Sequence, residues 1–402
     1  MNYIKEENLI LEKTAFSRES IEVRMRDGGF NSFSKFELFV WDLEMFLQLQ
    51  RILGDKIILK GGAATQFYLP ISSQRTSIDI DMICLANKED VKSAIAKIEE
   101  LLEGEGDYCK FIYYKPKNPR VGLDELETYY EMVPSVCSEL ELYSTKGKQQ
   151  VKIEFLYSKG EYKINKIKQP ELFALETVHE FNVLTLENLF ADKLTTLGPN
   201  TIGVSDKRMD EQFKQLYDVI TLFSSNIDWI LRSKKTIKEN YIEIAYKECK
   251  IHGIEYNAEE LYEDMHLLIK RVENIENDDE LIARAYDFQG FYLRNTVNRD
   301  KSGWVIAAYQ IDLLVQFIFK DNSKILDYRN IVEIVDVLRF ENIRGPERGK
   351  KNKIVREILK KAFGSDINIA ADLFKKKIER VIWELIMEYT FDEIYEVLKE
   401  IL

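Results

Sequence analysis

The segment KGGAATQFYLPISSQRTSIDIDMI, residues 60–83, decides the fold. It opens on a glycine pair and closes on a β-branched run that carries Asp79 and Asp81. Side chains alternate across a strand, so the two aspartates face one side while Ile78, Ile80 and Met82 face the other. Adjacent carboxylates repel and resist desolvation, which makes them a poor choice for stability alone. A hard cation such as Mg²⁺ relieves that cost, because it takes carboxylate oxygens and shares its remaining positions with water and phosphate. For an isolated pair the alternative is a strand with one polar, solvent-facing side.

The neighbouring residues bear on that choice. Gly61 and Gly62 allow a tight turn and bring backbone amides close to a ligand, and the start of the following helix favours anions. Together they predict a phosphate seat. Upstream, residues 36–53 have helical spacing and KIILK (56–60) is a short strand; downstream, AATQFYL suits a short helix and SIDIDMICL a strand. KEDVKSAIAKIEELLEG then predicts a helix ending in glycine. Strands are expected at DYCKFIYY, ETYYEMV, SELELYS and VKIEFLYS, all rich in aromatic or branched residues. In VKIEFLY, Lys152 and Glu154 share the face opposite Val151, Ile153 and Phe155. Glu154 is thus a candidate third carboxylate, with a plain amphipathic surface strand as the alternative.

Adjacent strands with few helices predict an α+β fold with a mixed sheet, not a regular doubly wound one. From Leu186 the pattern turns helical: LENLFADKLTTL, a Gly-Pro-Asn break at 198–200, then DEQFKQLYDVITLF. Beyond about residue 225 nearly every segment has helical periodicity. The expected organisation is residues 1–225 as the site-bearing domain and 226–402 as an all-helical domain available for binding a partner of the site.

Composition narrows the function classes. The 402 residues are 45% hydrophobic and 31% charged, as in globular proteins, and a formal net charge of −12 excludes unfocused attraction to nucleic acid. A nucleic-acid partner requires a local basic patch. RFENIRGPERGKKNKIVREILKK (339–361) supplies Arg344, Arg348, Lys350, Lys351, Lys353 and Arg356, which suit a phosphate backbone or simply a solvated surface. The four cysteines and three histidines are scattered, without metal-binding or disulfide spacing. The N-terminal stretch lacks the basic-then-apolar pattern of a signal peptide, and WVIAAYQIDLLVQFIF (304–319), interrupted by Gln310 and Asp312, predicts a core helix and not a membrane span. A cytoplasmic, reducing location without membrane association is expected.

The motifs KGG, RTSIDID, KIE and FADKLTTL, in that order over roughly residues 35–225, resemble the AbiEii/AbiGii toxin family of nucleotidyltransferase-like proteins from bacterial abortive-infection and toxin–antitoxin systems. The resemblance implies a polymerase-β-type nucleotidyltransferase core with a mixed sheet, followed by a helical domain. It assigns Asp79, Asp81 and Glu154 to two Mg²⁺ ions. It also assigns Gly61, Gly62, Arg75, Ser77 and Asp218 to nucleotide binding, and Lys193 to the nucleotide phosphates and to catalysis. Two departures stand out. Ala63 replaces a common Thr, and QFKQLYDV (212–219) keeps Lys214, Tyr217 and Asp218 but has Gln212 and Gln215 where the family has Arg and Asp. Arg208, one turn earlier, is a candidate substitute.

The implied activity is transfer of NMP from an NTP to an acceptor hydroxyl, with RNA, in particular the 3′ end of tRNA, as the acceptor of a phage-defence toxin. An antitoxin would be a partner without having to touch the protein. Modification of a small molecule or protein, and a non-catalytic helical binding protein with a decayed core, are the two competing functions.

Overall fold

The computed structural model describes residues 4–103, 108–115, 125–136 and 148–402. The expected strand SELELYS and Cys137 lie outside the described residues. Two compact units emerge, one of residues 1–258 with 284–298, the other of 259–283 with 299–402. Residue 225 falls within the first.

The first unit is built on a seven-stranded mixed sheet. Its strands are β1 (Ile57–Lys60), β2 (Asp79–Cys84), β3 (Phe111–Tyr114), β4 (Leu126–Pro134), β5 (Lys148–Tyr157), β6 (Ile164–Lys168) and β7 (Glu180–Leu184), in the spatial order β3-β4-β5-β2-β1-β7-β6. β2 runs parallel to β5 and β1 parallel to β7, whereas β1–β2, β3–β4, β4–β5 and β6–β7 are antiparallel. The expected α+β class with a mixed sheet is what the chain adopts. Two strands, β6 and β7, were not expected from the sequence. DYCKFIYY pairs only from Phe111, because Cys109 takes a positive φ of 54° that no regular strand accommodates.

Alternation in β2 and β5 divides the sheet into two faces. Ile80, Met82, Ile153 and Phe155 are fully buried on one, and the helix Phe33–Leu53 packs against β1, β2, β5 and β7. Ser32 caps that helix by accepting from the Lys35 amide, and Gly54 at φ 59° ends it. Asp79, Asp81, Lys152 and Glu154 occupy the opposite face and are only half-buried.

Lys301–Lys320 of the second unit is, among the described residues, the one helix long and apolar enough to cross a membrane, and 78% of its apolar window is buried inside the protein. Asp300 caps it through the Gly303 amide. Helices Tyr328–Leu338, Pro346–Phe363, Ile378–Glu388 and Phe391–Leu398 follow, and no strand occurs among the described residues of this unit. The basic cluster lies at the start of Pro346–Phe363: Arg344, Arg348, Lys350, Lys351 and Lys353 are exposed, and Arg356 is half-buried.

Candidate active site

Strand register assembles the site. Lys60 of β1 lies opposite Asp81, Asp81 opposite Glu154, Glu154 opposite Thr128, and Thr128 opposite Tyr114, giving one row across five strands. Asp79, Lys152, Tyr130 and Ile112 form the next row. The first row puts Asp81 and Glu154, distant in sequence, side by side. A cleft of about 660 Å³ opens over them, lined among others by Gly61, Gly62, Arg75, Ser77, Asp79, Asp81, Glu154 and Lys193. Of the residues expected in the site, only Asp218 does not line it.

The glycine pair is required by close approach. Gly61 has φ 70°, and a Cβ there would overlap the Asp81 carboxylate. A Cβ on Gly62 would come to 2.9 Å from both the Arg75 Nη2 and the Ser77 Oγ. The turn therefore rests against the acid and the Arg-x-Ser segment at once. The helix it opens, Gly61–Thr65, is short and has no side-chain cap, so its first amides carry no competing internal acceptor.

Electrostatics around the acids are strained. Burial, followed by the Glu154 charge, pushes the Asp81 carboxyl up to about 6, against the opposing pull of Lys152 and Lys60. Burial also raises Asp79, partly offset by Lys152. Lys152 Nζ lies 2.9 Å from Glu154, Thr128 donates to Glu154 at 3.1 Å, and Lys60 pairs with Asp192 at 2.8 Å. Behind the sheet, Asp42 is fully buried with both carboxylate oxygens unpartnered, and burial raises its pKa well above the usual range, reinforced by Asp79 and Asp81. Among the described residues, Lys60 and Lys152 only partly offset the acids of this wall. Among the described residues no group of three His, Cys, Asp or Glu side chains is gathered to hold a metal ion. The neighbouring hard oxygens of Asp81 and Glu154, with Asp79 one row away on the same face, nevertheless fit the demands of Mg²⁺.

Cations collect on the other wall. Arg75 makes a bidentate pair with Asp218, Nε to Oδ1 and Nη2 to Oδ2 both at 2.7 Å, and Lys193 reaches the same carboxylate at 2.8 Å. Asp218 is fully buried. Burial alone would raise its pKa, but Arg75 and Lys193 outweigh it and hold the group below the usual carboxylate range. Asp218 thus positions the two cations and does not face the cleft.

The departures from the family motif have local explanations. Gln215 accepts from Lys193 at 3.0 Å, a neutral partner that leaves more of the lysine charge uncompensated. Gln212 donates to Val204 O and Asp206 Oδ1, tying down the preceding loop. Arg208 pairs with Glu211 on the cleft rim.

Several residues escaped sequence reasoning. Lys35 and Lys214 stand 5.3 and 5.0 Å from the Tyr292 ring centroid, and both are influenced by the Asp79 charge. Burial lowers both lysines' pKa. Lys214 was visible as a motif residue, but nothing local marks Lys35 or Tyr292, since the chain returns to the site only in three dimensions.

Paired carboxylates on a mixed sheet, beside a glycine turn and a buried Arg–Lys–Asp cluster, are the arrangement that the resemblance to a nucleotidyltransferase family leads one to expect. The chain belongs to the AbiEii family: the profile of the nucleotidyl transferase AbiEii toxin of type IV toxin–antitoxin systems matches residues 46–291, more than half of the chain. It is accordingly a member of a family of nucleotidyltransferase toxins. Among solved structures, an H. pylori protein assigned as a nucleotidyltransferase is 15% identical, with 72% of this chain and 97% of that chain covered and a TM-score of 0.34. MenT4, a nucleotidyltransferase toxin from Mycobacterium tuberculosis, is 12% identical, with 75% and 98% covered and a TM-score of 0.43. No curated protein matches the chain.

Proposed function

We propose that the protein is an NTP-dependent, Mg²⁺-dependent nucleotidyltransferase that joins NMP to a hydroxyl of RNA, the 3′ end of tRNA being the acceptor class, and releases pyrophosphate. The observation that carries this is the Asp81–Glu154 pair, set across adjacent strands and facing a glycine turn and Lys193 in one cleft. Asp79, Asp81 and Glu154 would hold Mg²⁺, which when bound lowers the pKa of the attacking hydroxyl and neutralises charge on the triphosphate.

The chain's own groups do the rest. Amides following Gly61 and the Lys193 ammonium receive the charge that builds on the departing phosphates. Arg75, fixed by Asp218, braces the segment that leads into β2 and keeps Ser77 at the cleft. Glu154 accepts the hydroxyl proton as the O–P bond forms and the bond to pyrophosphate breaks. The exposed basic cluster from Arg344 to Lys353 supports a polyanionic acceptor in an otherwise acidic protein. Membership of a type IV toxin–antitoxin family supports the toxin reading, and the proposal places it in the cytoplasm, in phage defence, with an antitoxin that need not touch it.

Incubation of the full chain with α-labelled NTPs, Mg²⁺ and total cellular RNA is expected to label RNA in the tRNA size range. Label appearing only in protein or in small molecules would overturn the choice of acceptor.

A further inference from the structure

The face of the sheet that carries the acids does not end at Glu154. Its rows continue outward through Thr128 and Tyr130 of β4 to Tyr114 and Ile112 of the edge strand β3. Tyr114 lines the cleft and is 45% exposed, Ile112 is 56% exposed, and Tyr130 is half-buried. The Tyr114 and Tyr130 rings meet edge to face, with centroids 5.7 Å apart and planes at 89°. Lys152, paired with Tyr130 across β4 and β5, adds a cation beside them. Two aromatic rings in contact, with a lysine beside one of them, on an exposed sheet face suit single-stranded nucleic acid, since every base has a face that stacks.

Direction of attack selects the occupant. In-line displacement requires the incoming hydroxyl and the departing pyrophosphate on opposite sides of the reacting phosphorus. The glycine turn follows β1, on one side of the acids in the strand order, while Tyr130 and Tyr114 lie on the other. With the pyrophosphate on the glycine side, the hydroxyl enters from the tyrosine side. Strand spacing puts β4 about 10 Å and β3 about 14 Å from β2, the reach of a terminal nucleotide and of the one before it.

We infer that Tyr114 and Tyr130 form a stacking platform for the unpaired 3′-terminal bases of the acceptor RNA. This rests on the proposed transfer to RNA and adds to it how the acceptor end is held. A single-stranded RNA oligonucleotide with 2-aminopurine at its 3′ terminus tests it by direct binding to the full chain, without NTP. Wild type is expected to quench the probe saturably. Tyr114→Ala and Tyr130→Ala should each weaken binding by about 5- to 150-fold, the range for loss of one base–aromatic stack. Tyr114→Phe should bind like wild type, and NTP affinity should be unchanged in all three.

Equal probe affinity in wild type and both alanine variants would overturn the platform, as would absence of quenching by wild type. Tyrosine-dependent binding without any NMP transfer would uphold the platform and remove the reaction. Transfer to RNA with an unchanged acceptor KM in Tyr114→Ala would do the reverse.

Discussion

Asp81→Asn is expected to abolish nucleotide transfer, by about 10³-fold or more, while leaving the fold at least as stable as wild type. The loss follows from removing one of the adjacent carboxylates assigned to hold Mg²⁺, whose charge stabilisation is worth several kcal/mol. The stability follows from the raised pKa. A carboxyl held at about 6 in the folded state and at its ordinary value when unfolded binds more protons in the native protein. Its contribution is therefore fully present below about pH 4 and is lost as pH rises through about 6. Half-exposure and screening limit the effect to the order of 1–3 kcal/mol. Urea unfolding from pH 4 to 7 should show a shallower fall in Asp81→Asn than in wild type. An unchanged slope, or retained activity, would remove Asp81 from its assigned role.

Asp218→Ala should have the largest effect on stability, a loss of about 3–5 kcal/mol. Its carboxylate neutralises two cations, Arg75 and Lys193, whose side chains are only 3% and 4% exposed. Truncation leaves both without the carboxylate that neutralises them. The pH behaviour is opposite to that of Asp81: a depressed folded pKa gives stability that is present above the ordinary carboxylate value and lost as pH falls through the folded one. Denaturant midpoints measure the effect, and a loss below about 1 kcal/mol would show that the ion pair adds little. Transfer should fall as well, because Arg75 braces the segment entering β2 and Lys193 loses its fixed position.

Much of the site was legible because its signals are local. The period-2 alternation around Asp79 and Asp81, the glycine pair and the Arg75–Ser77 spacing all lie within residues 60–83. Glu154 was legible as an acid on a strand, but its place beside Asp81 depends on a parallel pairing between segments some 70 residues apart, which no local pattern encodes. The resemblance implies Asp218 at the nucleotide; its burial beneath Arg75 and Lys193 was not legible, since burial is a property of the packed helix and not of the motif. β6 escaped notice because Ile164–Lys168 is a short edge strand whose lysines mask alternation. Nothing local marks Asp42, one of several polar residues in its helix; only packing shows it to be buried near the two strand aspartates.

Parallel reactions with α-labelled and γ-labelled NTP test the central claim most directly. A nucleotidyltransferase leaves the α-label on the acceptor and releases the γ-label as pyrophosphate, and both the transfer and the release should require Mg²⁺ and vanish in Asp81→Asn. Label from the γ-position on the acceptor, or α-label transfer that persists in Asp81→Asn, would contradict the assignment of these carboxylates to nucleotidyl transfer.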